Sequence, residues 1–145
     1  MLRAVLDANV FISSAIRPEG PPGAIIERFL RHGAFELVLS QAIVDEVLRA
    51  LKYPKIRKYL SQAFDTERWF EDIVVLSYFV AGKYGITPVS KDPDDDKYIV
   101  AALEGRADFI GAGDSDLLSI KQYQQVRIVS PRAFLDLLSG DAVPL

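Results

Sequence analysis

The chain has no cysteine. Disulfides, zinc–thiolate centres and thiol nucleophiles are therefore excluded. It has one histidine, His32, so a Ser-His-Asp triad or a histidine-ligated metal would have to use that residue. His32 lies in Leu30-Arg31-His32-Gly33, which reads as a helix C-terminus, where a cation suits the dipole. Long apolar runs are also missing. The longest, Ile73 to Ala81, is broken by Ser77 and Tyr78 and falls well short of the roughly 20 residues of a membrane span. The N-terminus carries one arginine and then an acid, which does not read as a signal peptide. The expectation is a soluble, cytoplasmic protein with no membrane partner. There is no excess of positive charge either. The net charge of −3 argues against a broadly basic nucleic-acid surface.

What the sequence does contain is apolar material and unevenly placed charge. Half of its 145 residues are hydrophobic, enough for the core of one ordinary domain. We expect a single domain over residues 1–139 and a loose tail over 140–145. Residues 49–59 carry five cations and no acid, whereas residues 92–96 carry four acids and no base. One basic and one acidic zone suit a site that takes metal and polyanion together.

Short strand-like runs alternate with longer helical ones. Strands are expected at 2–6, 35–39, 108–112 and 126–129, with a short one at 86–89. Helices are expected at 9–16, 23–32, 41–52, 65–80, 94–105, 115–120 and 131–138, with a helical piece from Pro54 to about Leu60. This order implies an α/β fold in three layers, α/β/α, around a mostly parallel central sheet.

Four acids fall where strands end or the next helices begin: Asp7, Glu46, Asp96 and Asp114. Ligands of open α/β sheets bind at the carboxyl edge of the strands, and clustered carboxylates suit Mg²⁺ or Mn²⁺. Asp7 closes the apolar strand and can cap the next helix or ligate a metal, with Asn9 as support. On the helix after Ser40, Ile43, Val44, Val47, Leu48 and Leu51 build the apolar face at about 100° per residue. Glu46 sits at its border between Ala42 and Ala50, where small neighbours leave room for a ligand. In Asp92-Pro93-Asp94-Asp95-Asp96, a calcium-loop reading fails because Lys97 and Leu103 stand at the glycine and glutamate positions. Helix geometry favours Asp96 as the inward acid, with Asp95 as its rival. Asp114, in Gly113-Asp114-Ser115-Asp116, is good turn chemistry by itself. It gains meaning beside the other three, with Asp116 able to reach a second metal or cap the following helix.

Together, Leu6-Asp7-Ala8-Asn9-Val10, Ser40 through Glu46, Asp92 through Lys97, and Gly113 through Leu118 resemble the motifs of a PIN domain, a small metal-dependent nuclease fold. The pattern is most similar to the branch of toxins from prokaryotic toxin–antitoxin pairs. The resemblance implies an endoribonuclease dependent on one or two Mg²⁺ or Mn²⁺ ions, acting on RNA, often homodimeric and inhibited by a partner antitoxin. It carries over Asp7, Glu46, Asp114 and either Asp96 or Asp95 as metal ligands. Asn9, Ser115 and Asp116 follow as support. The family pattern favours Asp95 at the third position, against the helix geometry.

With no catalytic cysteine and a histidine placed at a helix end, the expected chemistry is attack on phosphorus by metal-activated water. Arg49, Lys52, Lys55, Arg57 and Lys58 would hold the RNA backbone, and Tyr53 or Tyr59 could stack on a base. A solvated helix face is the ordinary alternative for that stretch. Two rivals come from other classes. A haloacid-dehalogenase phosphatase would need an acid where Asn9 stands, and a receiver-like domain an acid pair that is absent. A non-catalytic scaffold, or an RNA-processing nuclease outside toxin–antitoxin systems, is the alternative within the fold.

Overall fold

The computed structural model describes residues 1–85, 89 and 92–140. The first strand, β1 (Arg3–Leu6), leads to α1 (Ala8–Ile16) and α2 (Pro21–His32). Then come β2 (Glu36–Ser40), α3 (Gln41–Leu51), α4 (Pro54–Arg57), α5 (Thr66–Leu76) and β3 (Tyr78–Val80). A 3-10 turn at Pro93–Asp95 opens α6 (Asp96–Glu104), followed by β4 (Phe109–Gly111) and α7 (Ser115–Ile120). The chain finishes with β5 (Gln122–Tyr123), β6 (Val126–Val129) and α8 (Pro131–Leu138).

The strands form one six-stranded sheet in the order β3-β2-β1-β4-β6-β5. All pairings are parallel except β5 with β6. Central parallel strands are covered on both faces, so they read as unbroken apolar runs. Ala4, Val5 and Leu6 are accordingly fully buried. α6 packs across β1, β2, β4 and β6, while α2 packs against both α1 and α8. Phe35 and Phe134 meet edge-to-face at 5.1 Å, and Phe11 and Phe70 at 5.4 Å. This is the three-layer α/β/α arrangement with a mostly parallel sheet that the element order implies.

The path through the sheet fixes where a site can form. From β1 the chain moves outward through β2 to β3, then returns to place β4 on the other side of β1. β1 and β4 therefore flank a topological switch point, and the crevice beyond their carboxyl ends is open to ligands.

Two local differences from the sequence reading have clear physical causes. The helix expected over 65–80 stops at Leu76. Ser77 turns extended, and Tyr78, Phe79 and Val80 join β2 as a parallel edge strand. Aromatic and β-branched residues favour that role, and the continuous apolar run concealed the change of period. The helix expected over 94–105 begins instead with the 3-10 turn, forced by Pro93 and by Asp92, whose side chain accepts from the Asp94 amide. The piece after Pro54 ends as a helix at Arg57, and the two-residue β5 is additional. Of the short strand expected at 86–89, residues 86–88 lie outside the described residues, as do 141–145 of the expected tail. Gly33 ends α2 as anticipated, at a φ of +56° that suits a residue without Cβ. His32 and Arg31 occupy its exposed last turn.

Candidate metal centre

Asp7 follows β1 as the N-cap of α1, its Oδ1 accepting from the Val10 amide at 3.0 Å. Its Oδ2 accepts from the amides of Gly113 and Asp114 at 3.0 and 3.1 Å. The carboxylate therefore ties the end of β1 to the turn after β4, across the switch point. Gly113 makes this approach possible, since a Cβ there would lie 3.1 Å from that of Asn9. Asp7 is only 2 % exposed. Burial pushes its carboxyl up to about 6, against the opposing pull of the three amides. Asp7 thus performs the capping role and faces the crevice at once.

Ser40 caps α3 by accepting from the Ile43 amide, with Ile43, Val44, Val47 and Leu51 buried beneath. That orientation leaves Glu46 at the edge of the buried face, its side chain 26 % exposed. Both carboxylate oxygens have protein donors. Lys97 Nζ donates to Oε2 at 2.8 Å, and the Tyr98 hydroxyl donates to Oε1. The same hydroxyl accepts from the Ala8 amide at 3.2 Å. Burial and the adjacent Glu46 hold the Tyr98 phenol well above its ordinary range.

Asp114 caps α7, its Oδ2 accepting from the Leu117 amide at 3.0 Å. Asp95 lies beside the Asp114 carboxylate, and its own carboxyl is pushed up to about 7. Burial is the leading cause, followed by the neighbouring Asp114 and the charges of Asp92 and Glu46. Asp95, Asp114 and Asp116 can each bring one carboxylate oxygen within 4.8 Å of the others. Asp96 takes another direction, its Oδ2 accepting from the Val89 amide at 3.2 Å.

A cavity of about 430 Å³ gathers these groups. Its lining includes Asp7, Asn9, Glu46, Asp94, Asp95, Tyr98 and Asp114. Asp96, Ser115 and Asp116 are not among the lining residues. Of the five cations expected to hold a backbone, Arg49 lines the cavity together with Tyr53, which is 51 % exposed. Lys52, Lys55, Arg57 and Lys58 are exposed outside it. Tyr59 faces a separate apolar groove, beneath the Lys58 ammonium at 5.1 Å.

Sequence reasoning missed Lys97 and Tyr98. The available signal was a tyrosine on the otherwise aliphatic buried face of α6, since a buried phenol requires a polar partner.

The donor set facing the cavity is rich in carboxylate oxygen and has no sulfur or imidazole, which fits a hard divalent cation such as Mg²⁺ or Mn²⁺. Burial is the leading cause of the raised carboxyls of Asp7 and Asp95, with neighbouring acids adding to it, and a bound cation would favour their ionised forms.

Comparison with known proteins agrees with this geometry. The chain is 29 % identical over 148 residues to the uncharacterized protein MJ1680 of Methanocaldococcus jannaschii, covering 93 % of this chain and 90 % of that one. The signature of the PIN domain matches residues 3–116, which run from the start of β1 to the turn carrying Asp114 and Asp116. The chain therefore belongs to the PIN domain family, whose fold is that of metal-dependent nucleases.

Proposed function

We propose that this protein is a metal-dependent endoribonuclease whose centre is built by Asp7, Glu46, Asp95 and Asp114. The observation that carries the reading is the meeting of these four carboxylates, from four separate elements, in one cavity at the switch point of the sheet. Asp95 is preferred to Asp96 at the third corner because Asp95 lines the cavity beside Asp114, whereas Asp96 does not line it and accepts from the Val89 amide. Asp116 would join Asp95 and Asp114 around a second ion.

Asp7, Glu46, Asp95 and Asp114 would hold a Mg²⁺ or Mn²⁺ ion, which would supply water activation and charge neutralisation for phosphodiester hydrolysis. The chain supplies position. Three backbone amides fix the Asp7 carboxylate so that it cannot turn away from the crevice. Glu46 is fixed by Lys97 and Tyr98. Arg49, one turn beyond Glu46, meets a non-bridging phosphate oxygen of the approaching strand, and Tyr53 offers its ring to an adjacent base. Lys52, Lys55, Arg57 and Lys58 extend the positive track away from the cavity.

The Asp7→Asn variant tests the reading. It keeps one accepting oxygen for the α1 cap, gives up the acceptor that meets the Gly113 and Asp114 amides, and removes the charge. RNA cleavage supported by Mg²⁺ or Mn²⁺ is expected to fall at least about 1,000-fold, a typical scale for losing a charge-stabilising group, with the fold retained by circular dichroism. Undiminished cleavage by the purified variant refutes it.

For the biological setting we take the toxin of a toxin–antitoxin pair, acting as a homodimer and silenced by an antitoxin. The sequence motifs are most similar to that branch of the family. Growth arrest on expression of the wild type, and not of Asp7→Asn, supports this setting.

A further inference from the structure

Tyr98 is 1 % exposed, yet its hydroxyl is fully employed. It donates to Glu46 Oε1 and accepts from the Ala8 amide. Ala8 directly follows Asp7, and Tyr98 itself lies one helical turn beyond Asp95. A single oxygen therefore joins the three segments that carry Asp7, Glu46 and Asp95.

We infer that Tyr98 is the positioning residue of this centre, aiming the Glu46 carboxylate into the cavity and fixing it to the backbone beside Asp7. The inference rests on the metal-dependent reading above. Each carboxylate oxygen has two acceptor directions. Tyr98 occupies one on Oε1 and Lys97 one on Oε2, and the remaining directions stay available to a cation. Without the hydroxyl, Oε1 loses its anchor and the partly exposed glutamate side chain is free to leave its rotamer. Anchors of this kind around metal ligands set affinity by holding the ligand in its binding geometry.

The Tyr98→Phe variant retains the ring and its packing. Mn²⁺ affinity is measured without RNA, by the electron paramagnetic resonance signal of the free ion. Thermal unfolding in chelator reports on the fold. Wild type is expected to bind Mn²⁺ and Tyr98→Phe to bind it about tenfold more weakly, while the variant in chelator still unfolds cooperatively, with a midpoint lowered by the two hydrogen bonds lost. Glu46→Asp, which withdraws the carboxylate from the hydroxyl but keeps its charge, provides the second background. There Tyr98→Phe is expected to add little further loss.

Equal affinity of wild type and Tyr98→Phe overturns the inference and leaves the nuclease reading standing. So does an equal loss in both backgrounds, because the hydroxyl would then act without Glu46. A Tyr98→Phe chain that does not fold also overturns it, by making the hydroxyl a requirement of the fold. Wild type that binds no Mn²⁺ removes the nuclease reading and the inference together.

Discussion

Lys97 Nζ meets Glu46 Oε2 at 2.8 Å, so one acid of the cavity is already paired with a cation of the chain's own, held behind the cavity lining. The two side chains are 19 % and 26 % exposed, which leaves the pair less screened than a surface salt bridge. Its positive charge stabilises the metal-free cluster and opposes an incoming divalent ion. Lys97→Met should therefore lower stability in chelator by about 1 kcal/mol, between the surface and buried cases. The same variant should bind Mn²⁺ more tightly, by up to about tenfold, equivalent to about 1.4 kcal/mol. Thermal melts with and without Mn²⁺ check both at once: the variant should gain more from the metal than wild type does. The opposite sign is expected for Tyr98→Phe, so the two partners of Glu46 can be told apart.

The third acid can be settled by a pair of neutral substitutions. Asp95 faces Asp114 in the cavity, and Asp96 accepts from the Val89 amide. Asp95→Asn should weaken Mn²⁺ binding by more than about tenfold and abolish most cleavage, on the scale of a lost ligand or catalytic charge. Asp96→Asn retains an accepting oxygen for the Val89 amide and should leave Mn²⁺ binding and cleavage close to wild type. Titration of both variants with Mn²⁺, followed by RNA cleavage, gives the answer. Loss of binding in Asp96→Asn alone would reverse the assignment.

The reason the sequence left Asp95 and Asp96 open lies in Pro93. Counting α-helical rotation backwards from Ile99 reaches Asp96 at the first residue of α6, but Asp95 belongs to the 3-10 segment Pro93–Asp95. That geometry has about 3.0 residues per turn instead of 3.6, so the helical count does not carry on to Asp95. Asp7 and Glu46 escaped this difficulty. Asp7 ends an unbroken central strand, and Glu46 lies well inside a regular helix whose apolar face is continuous. The parallel sheet was legible for the same reason, because buried strands such as Ala4-Val5-Leu6 carry no polar interruption. The edge strand Tyr78–Val80 was not, since it follows α5 without a glycine or proline to mark the boundary. Lys97 and Tyr98 were hidden by ordinary interpretations: a lysine reads as solvated and a tyrosine among aliphatics reads as core.

The raised carboxyls predict an unusual pH dependence in the absence of metal. Asp7 moves from 3.8 to about 6 and Asp95 from 3.8 to about 7. Between about pH 4 and pH 7 the folded protein therefore binds more protons at these groups than the unfolded chain, and their contribution to stability falls as pH rises. The effect is complete below the unfolded value and gone above the folded one. For Asp7 the shift corresponds to roughly 3 kcal/mol, at about 1.4 kcal/mol per unit. The Asp95 share is smaller because that side chain is partly exposed to solvent. Asp7→Asn should lack the Asp7 share. Denaturant unfolding in chelator, with wild type and Asp7→Asn compared at each pH, isolates it from the other titrating groups. Wild type should lose stability relative to the variant through this window. Mn²⁺ should reverse the loss, because it binds the ionised carboxylates and releases their protons. A wild type that gains stability relative to Asp7→Asn on going from about pH 4 to about pH 7 in chelator would contradict the burial-driven shift of Asp7.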